Sequence, residues 1–235
     1  MAKVKKIALI ICVIACWGLT CIKHNSNPVM AMGVPAGDTL TYLALGDSYT
    51  IGQSVEAEDR YPSQVVKRLR ADTLFYRSPD IIAVTGWTTA DLLAAMPVSV
   101  STPYHIVSLL IGVNNQYRHL SQSDYRSQFA SLLQQAIRLA GNRPGHVIVL
   151  SIPDYSVTPF ARGSNTAYIV AQIDSFNAIN REIALAYQAQ YVDITEESRK
   201  ASNDPLLIAA DSLHFSGKEY DIWAGMMAPI IKGLH

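Results

Sequence analysis

A serine at a turn that ends a strand, and an acid–histidine pair near the carboxyl end, could together perform nucleophilic chemistry. Ser48 follows Gly46 and Asp47 directly after an apolar run, and glycine permits the tight turn that this pattern requires. Asp211 and His214 lie three residues apart, so the carboxylate can bond one ring nitrogen and leave the other as a base. Attack by a serine hydroxyl requires this combination of base and orienting acid.

Each of these motifs alone has a simpler interpretation. A single Gly-Asp-Ser is typical of a surface turn, and a single Asp-x-x-His is typical of a turn with a surface pair. Asp193 follows another apolar segment and rivals Asp211 as the orienting acid, although no histidine adjoins it. The argument for catalysis therefore depends on whether the fold brings these residues together.

Alternating apolar runs and amphipathic segments predict the elements that must position these residues. Continuous apolar runs, typical of strands covered on both faces, occupy residues 41–45, 81–84, 106–111, 147–152 and 191–194. Apolar residues at helical spacing occupy 61–71, 89–96, 123–140, 168–188 and a last helix capped by Ser216 that ends near Lys232. This alternation predicts an α/β fold, a three-layer αβα sandwich around a flavodoxin-like, five-stranded parallel sheet. Residues 196–210 are expected to be irregular.

The carboxyl ends of parallel strands share one edge of a sheet, which is where such sheets bind ligands. The residues that follow the first four predicted strands are 46–48, 86, 112–115 and 154–155, and residue 193 lies near the end of the fifth. The loop that carries His214 can return to the same edge. His105 and His146 precede their strands and are expected to be structural.

Composition and motif content argue against several other functions. The 235 residues contain 19 Lys and Arg and 19 Asp and Glu, so the formal net charge is zero. The chain therefore lacks the excess positive charge that is typical of nucleic-acid-binding proteins. The sequence has no Gly-x-Gly-x-x-Gly, no P-loop and no Gly-x-Ser-x-Gly elbow, and no His-Glu-x-x-His or similar cluster that indicates a metal. We therefore expect no cofactor, no metal and a small-molecule, glycan or lipid substrate.

The amino-terminal residues have the pattern of an export signal. Three lysines within the first six residues precede the apolar run 7–15, which is shorter than the roughly 20 residues of a membrane-spanning helix. Residues 1–22 are therefore predicted to be a signal, residues 23–39 a flexible tether rich in Pro, Gly, Asn and Ser, and residues 40–235 one folded domain.

All three cysteines lie within this signal, at positions 12, 16 and 21. The sequence of residues 13–16 resembles a bacterial lipobox, which predicts lipidation of Cys16; lipidation of Cys21 and ordinary signal cleavage are the alternatives. The protein is expected to be exported to the periplasm or the cell surface, with a lipid anchor as its membrane contact. The folded domain contains no cysteine, so it has no disulfide and no thiol nucleophile.

Four blocks of the sequence resemble the SGNH, or GDSL, hydrolase family. The blocks are Gly46-Asp47-Ser48, residues 83–92 around Gly86, Gly112-Val113-Asn114 and Asp211-Ser212-Leu213-His214. They occur in the family's order over about residues 40–235. Together they are far more specific than any block alone, and the resemblance implies the SGNH hydrolase fold.

The resemblance also implies a role for each block. It implies Ser48 as the nucleophile, His214 as the base and Asp211 as the acid that orients it. The oxyanion hole is then formed by the backbone N–H groups of Ser48 and Gly86 and the side chain of Asn114.

Two features near these blocks are less fully determined by the sequence. The family usually has an aspartate at the position of Asn115, where it is expected to brace the loop rather than react. Trp87, Asp154 and Tyr155 follow strands and are candidates for the substrate pocket, with core packing and turn chemistry as alternatives.

The leading hypothesis is a serine esterase that cleaves a carboxylic ester through an acyl-enzyme on Ser48. An acylated carbohydrate, a short-chain acyl ester and a lysolipid would all use this chemistry. The alternative is a non-catalytic ligand-binding lipoprotein that retains the fold.

Overall fold

A computed structural model describes residues 39–235; the predicted export signal, Cys16 and nearly all of the predicted tether lie outside them. Within this part of the chain the strands are β1 (Tyr42–Gly46), β2 (Asp80–Ala83), β3 (Ile106–Leu110), β4 (Val147–Leu150) and β5 (Gln190–Val192). They form one parallel sheet in the order β2-β1-β3-β4-β5. The structure thus confirms the predicted five-stranded parallel sheet and its flavodoxin-like order.

Eight α-helices accompany the sheet between residues 39 and 235. They are α1 (Ser48–Ile51), α2 (Tyr61–Ala71), α3 (Thr89–Ala95), α4 (Val113–Tyr117), α5 (Gln122–Leu139), α6 (Thr166–Ala186), α7 (Thr195–Arg199) and α8 (Gly217–Lys232). Helix α2 packs against α8, and α5 packs against α3 and α6. Because crossovers between parallel strands are right-handed, these two groups cover opposite faces, which gives the predicted three layers. None of the helices in this range combines the length and apolarity needed to cross a membrane.

The strand order explains where a site can form. Every residue of β1, β3 and β4 is buried, as continuous apolar runs require. The chain leaves β1 for β2 on one side and later returns to β3 on the other side. The carboxyl ends of β1 and β3 therefore flank the crevice where open α/β sheets hold ligands.

Local signals set the boundary of α3, whereas the start of α8 and the residues 196–210 differ from the sequence prediction. Thr88 and Asp91 form a reciprocal capping box at the start of α3, as the pattern Thr-x-x-Asp favours. Ser216 precedes α8, but its hydroxyl donates to the carbonyl of Leu206 at 2.6 Å and does not cap the helix. The expectation of an irregular segment was wrong for α7, whose five residues are too few for a periodic pattern to be read.

Candidate active site

Ser48 is the first residue of α1, and only Asp47 separates it from the end of β1 at Gly46. The Asp47 carboxylate accepts the backbone N–H of Tyr49 at 3.1 Å and caps this short helix. A Cβ at Gly46 would lie 2.3 Å from the carbonyl oxygen of Leu110, so only glycine fits between the two strands. The turn leaves the side chain of Ser48 on the wall of a cleft.

Asp211 and His214 form the pair that the sequence predicts. Asp211 Oδ2 lies 2.6 Å from His214 Nδ1, and Oδ1 accepts the backbone N–H groups of Leu213 and His214 at 2.9 Å each. Burial raises the pKa of Asp211, but hydrogen bonds from Ser54, Leu213 and His214 outweigh it and hold that pKa well below its usual value. The ionised carboxylate fixes the proton on Nδ1, which leaves Nε2 of His214 free to accept one.

Aromatic packing holds the imidazole beside the helix that carries the serine. The Tyr49 ring meets the His214 ring edge to face, with 5.6 Å between centroids. Tyr49 in turn packs against Phe215 and Trp223, at 5.9 and 6.4 Å. These contacts connect α1 to the segment before α8, so His214 and Ser48 line the same cleft.

Gly86 and Asn114, which follow β2 and β3, can each offer a hydrogen-bond donor to this cleft. Gly86 has φ +85°, a conformation that favours glycine, and the Arg118 guanidinium donates to its carbonyl at 2.6 Å. Asn114 Nδ2 donates to the carbonyl of Trp87 at 3.0 Å. This bond uses one of the two amide hydrogens of Asn114 and leaves the other available. Ser48, Gly86 and Asn114 all line the cleft.

The cleft is small and mainly apolar. Its volume is about 160 Å³. The other lining residues are Tyr49, Thr85, Val113, Tyr117, Tyr155, Phe160 and Leu213. Tyr117, Tyr155 and Phe160 contact one another with ring centroids 6.1 to 6.4 Å apart. Tyr117 and Phe160 are about half exposed, at 52% and 47%, so the aromatic wall extends to the solvent.

Of the three pocket candidates from the sequence, Tyr155 lines this cleft, but Trp87 and Asp154 do not. The Trp87 side chain packs against the hydrophobic core. Asp154 is fully buried, accepts the backbone N–H of Ser156 at 2.9 Å and pairs with Arg199 Nε at 2.9 Å. Neither side chain therefore contributes to the wall of this cleft.

Asp193 is not placed to orient His214. Its Oδ1 accepts the Ser151 hydroxyl at 3.1 Å and the backbone N–H of Thr195 at 3.0 Å. These bonds hold the turn between β5 and α7, so Asp211 is the acid that contacts the histidine.

The other histidines between residues 39 and 235 lie elsewhere. His105 Nδ1 accepts the backbone N–H of Thr41 at 3.1 Å, and His146 Nδ1 lies 2.8 Å from the carbonyl oxygen of His105. Both occupy the edge opposite the cleft, as expected from their position before the strands. His119 is exposed and packs near Tyr168, with ring centroids 6.2 Å apart.

Ser54 contacts the site, although no sequence motif indicates it. The Ser54 hydroxyl donates to Asp211 Oδ2 at 2.6 Å, across 157 residues of sequence. Ser54 is exposed and belongs to none of the four blocks. Only the folded chain shows its proximity to Asp211.

Comparison with known proteins identifies the family to which the chain belongs. The GDSL-like Lipase/Acylhydrolase family matches residues 44–222, about three quarters of the chain. The chain belongs to this family. The match begins just before Ser48 and extends past His214, so it encloses all four blocks. As a member of the GDSL-like acylhydrolases, the chain is a hydrolase that acts on ester bonds.

Solved structures share this family's fold at low sequence identity. TesA is 20% identical with a TM-score of 0.66, and the match covers 83% of this chain and 99% of TesA. Axe2, an acetylxylan esterase from Geobacillus stearothermophilus, is also 20% identical, with a TM-score of 0.62 and coverage of 83% and 95%. The acetyl xylan esterase AlAXEase is 17% identical, with a TM-score of 0.64 and coverage of 80% and 98%. No curated protein matches the sequence.

Proposed function

We propose that this GDSL-like hydrolase is a serine esterase that cleaves a carboxylic ester through an acyl-enzyme on Ser48. One observation carries the proposal. Ser48 and His214 line one small cleft together with Gly86 and Asn114, while Asp211 Oδ2 lies 2.6 Å from His214 Nδ1. The residues proposed as nucleophile, base and oxyanion donors thus line one cleft, and the proposed orienting acid contacts the base, which supports the proposal.

Each group has a defined task in this reaction. His214 Nε2 takes the hydroxyl proton as Ser48 Oγ attacks the ester carbonyl. The oxyanion that forms accepts hydrogen bonds from the backbone N–H groups of Ser48 and Gly86 and from the free amide hydrogen of Asn114. His214 then protonates the leaving alcohol, and it later activates the water that releases the acid and frees Ser48.

The shape of the cleft favours a short acyl group on a carbohydrate. A volume of about 160 Å³ with apolar walls suits a small acyl chain better than a long one. The exposed rings of Tyr117 and Phe160 offer flat apolar faces on which a sugar ring can stack. Two proteins that share the fold are acetylxylan esterases by name, and this adds support to the choice of an acetylated sugar.

A substrate series tests this proposal. We would assay the purified mature protein with p-nitrophenyl acetate, butyrate and octanoate and with an acetylated xylo-oligosaccharide, using Ser48→Ala as the control. The proposal expects a kcat/KM that falls from acetate to octanoate and that the Ser48→Ala change abolishes. A preference for octanoate would favour a lipid ester, and activity retained in Ser48→Ala would contradict the serine mechanism.

The location of the protein is a separate proposal, supported by its first 22 residues. We propose export followed by lipidation of Cys16, because a lysine-rich start, an apolar run and a lipobox-like sequence precede it. Metabolic labelling with a fatty-acid probe should mark the wild-type chain and the Cys21→Ser variant but not Cys16→Ser. Labelling lost only in Cys21→Ser would assign the lipid to that cysteine.

A further inference from the structure

The carboxylate of Asp211 accepts four hydrogen bonds, and one donor, Ser54, lies outside the three residues proposed for catalysis. Oδ1 accepts two backbone N–H groups, from Leu213 and His214. Oδ2 accepts the ring Nδ1 of His214 and the hydroxyl of Ser54, both at 2.6 Å. A carboxylate has about four acceptor positions, so Ser54 completes its coordination.

Ser54 reaches this position in an unfavourable backbone conformation. Its φ is +67°, a left-handed value that is costly for residues other than glycine. Ser212, beside Asp211, has a similar φ of +66°. The two loops that meet at the carboxylate are therefore both strained, and the bond between Ser54 and Asp211 joins them.

We infer that Ser54 is a positioning residue for the ester hydrolysis proposed above, acting through Asp211 on His214. The inference rests on that proposed function. By donating to the same oxygen that receives His214 Nδ1, the hydroxyl stops the carboxylate from rotating. It also withdraws charge from that oxygen and so moderates the basicity that Asp211 confers on the imidazole.

Loss of the hydroxyl would have two separable effects. A less constrained carboxylate would orient His214 less well, which lowers kcat but leaves substrate binding largely intact. The carboxylate would also regain charge on Oδ2 and stabilise the imidazolium form of His214 more strongly. Since the base must be neutral to act, the acidic limb of the pH–rate profile would move to higher pH.

The other ionisable groups near the pair do not obscure this shift. Tyr49 of α1 and Tyr220 of α8 are buried, which raises the pKa of each far above the neutral range, so they stay uncharged. Asp47 is buried beside Ser48, and burial raises its pKa to about 7. Ser54 bonds Asp211 rather than Asp47, so the contribution of Asp47 is common to the wild type and the Ser54 variants.

Two substitutions at Ser54 and one control test this inference. Ser54→Ala removes the hydroxyl and keeps the strained backbone, whereas Ser54→Gly removes the hydroxyl and relieves the strain. Thr73→Ala is the matched control, because Thr73 also has a hydroxyl and a φ of +67° but lies in the turn after α2. We would measure kcat, KM and the pH profile of the purified mature protein, with Ser48→Ala in the same assay.

Both Ser54 variants should lose about tenfold in kcat, an effect of the size of one hydrogen bond to a charged group, with KM changed less than twofold. Their acidic limb should move upward by a few tenths of a pH unit, and Thr73→Ala should match the wild type. Unchanged kcat, or a loss without the pH shift, would overturn the inference. Activity retained in Ser48→Ala would instead reject the proposed function. If Ser54→Ala folds poorly, the unstrained Ser54→Gly variant decides.

Discussion

Asn115 binds Thr89 through two buried hydrogen bonds. Its Oδ1 accepts the backbone N–H of Thr89 at 3.0 Å, and its Nδ2 donates to Thr89 Oγ1 at 2.8 Å. The contact joins the first turn of α4, which carries Asn114, to the first turn of α3, which follows Gly86. An amide thus braces the two loops proposed to form the oxyanion hole, at the position where the family usually has an aspartate.

Substitutions at Asn115 test whether its contact with Thr89 stabilises the protein and positions Asn114. Asn115→Ala leaves the buried N–H of Thr89 without a partner, which should cost about 1–3 kcal/mol in the free energy of unfolding and lower kcat as Asn114 shifts. Asn115→Asp can still accept that N–H and should retain more stability and activity than the alanine variant. Urea unfolding and steady-state kinetics measure both effects. An alanine variant as stable and active as the wild type would exclude the brace.

Asn114 is expected to matter for catalysis and little for stability. It is partly exposed, and the bond it makes is to the carbonyl of Trp87 at 3.0 Å. Removing an oxyanion donor typically lowers kcat by about 10²–10³, so Asn114→Ala should show such a loss while its melting temperature changes little. If kcat is unchanged, the oxyanion hole must be built without this side chain.

Asp211 and Asp193 provide a matched pair of acids. Asp211 bonds His214 directly, whereas Asp193 bonds Ser151 and Thr195. By analogy with serine proteases, Asp211→Asn should cost on the order of 10⁴ in kcat because it reverses the preferred ring tautomer. Asp193→Asn should leave kcat within a few-fold of the wild type. Comparable small losses in the two variants would mean that Ser48 and His214 act without an orienting acid.

Asp47 should make stability depend on pH. Burial raises its pKa from the usual 3.8 to about 7, so the folded state binds a proton that the unfolded state has lost between these values. Its contribution is fully present below about pH 4 and is lost as pH rises toward 7; the difference corresponds to roughly 4 kcal/mol.

An uncharged residue at this position should remove that dependence. Asp47→Asn should show a flatter free energy of unfolding between pH 4.5 and 8, measured by urea titration at several pH values. The subtraction of variant from wild type isolates Asp47 from the other carboxyls. Parallel curves for the two proteins would show that Asp47 is ionised throughout.

The sequence predicted the sheet well and also singled out the residues proposed for catalysis, because both have strong local signals. Continuous apolar runs mark strands buried on both faces, and the Gly-Asp-Ser turn and the Asp-x-x-His pair lie within single short segments. The direction of a side chain in an irregular loop has no such signal. Tyr155 faces the cleft while its neighbour Asp154 is buried against Arg199, a choice made by a single turn of 3₁₀ helix at Tyr155–Val157.

Contacts between segments that are distant in the sequence could not be predicted either. The bond from Ser54 to Asp211 spans 157 residues and needs a left-handed serine, which no pattern of residue types reports. Helices α1, α4 and α7 contain five residues or fewer, about one turn, so they show no periodicity.

The most direct test of the account is covalent trapping of the proposed nucleophile. The purified mature protein would be treated with a fluorophosphonate probe, which bonds activated serine hydroxyls, and the modified peptide would be identified by mass spectrometry. We expect one adduct on Ser48, lost in Ser48→Ala and strongly slowed in Asp211→Asn. A folded protein that is not labelled, or is labelled on another serine, would contradict the account, and an absence of labelling would favour a non-catalytic ligand-binding lipoprotein.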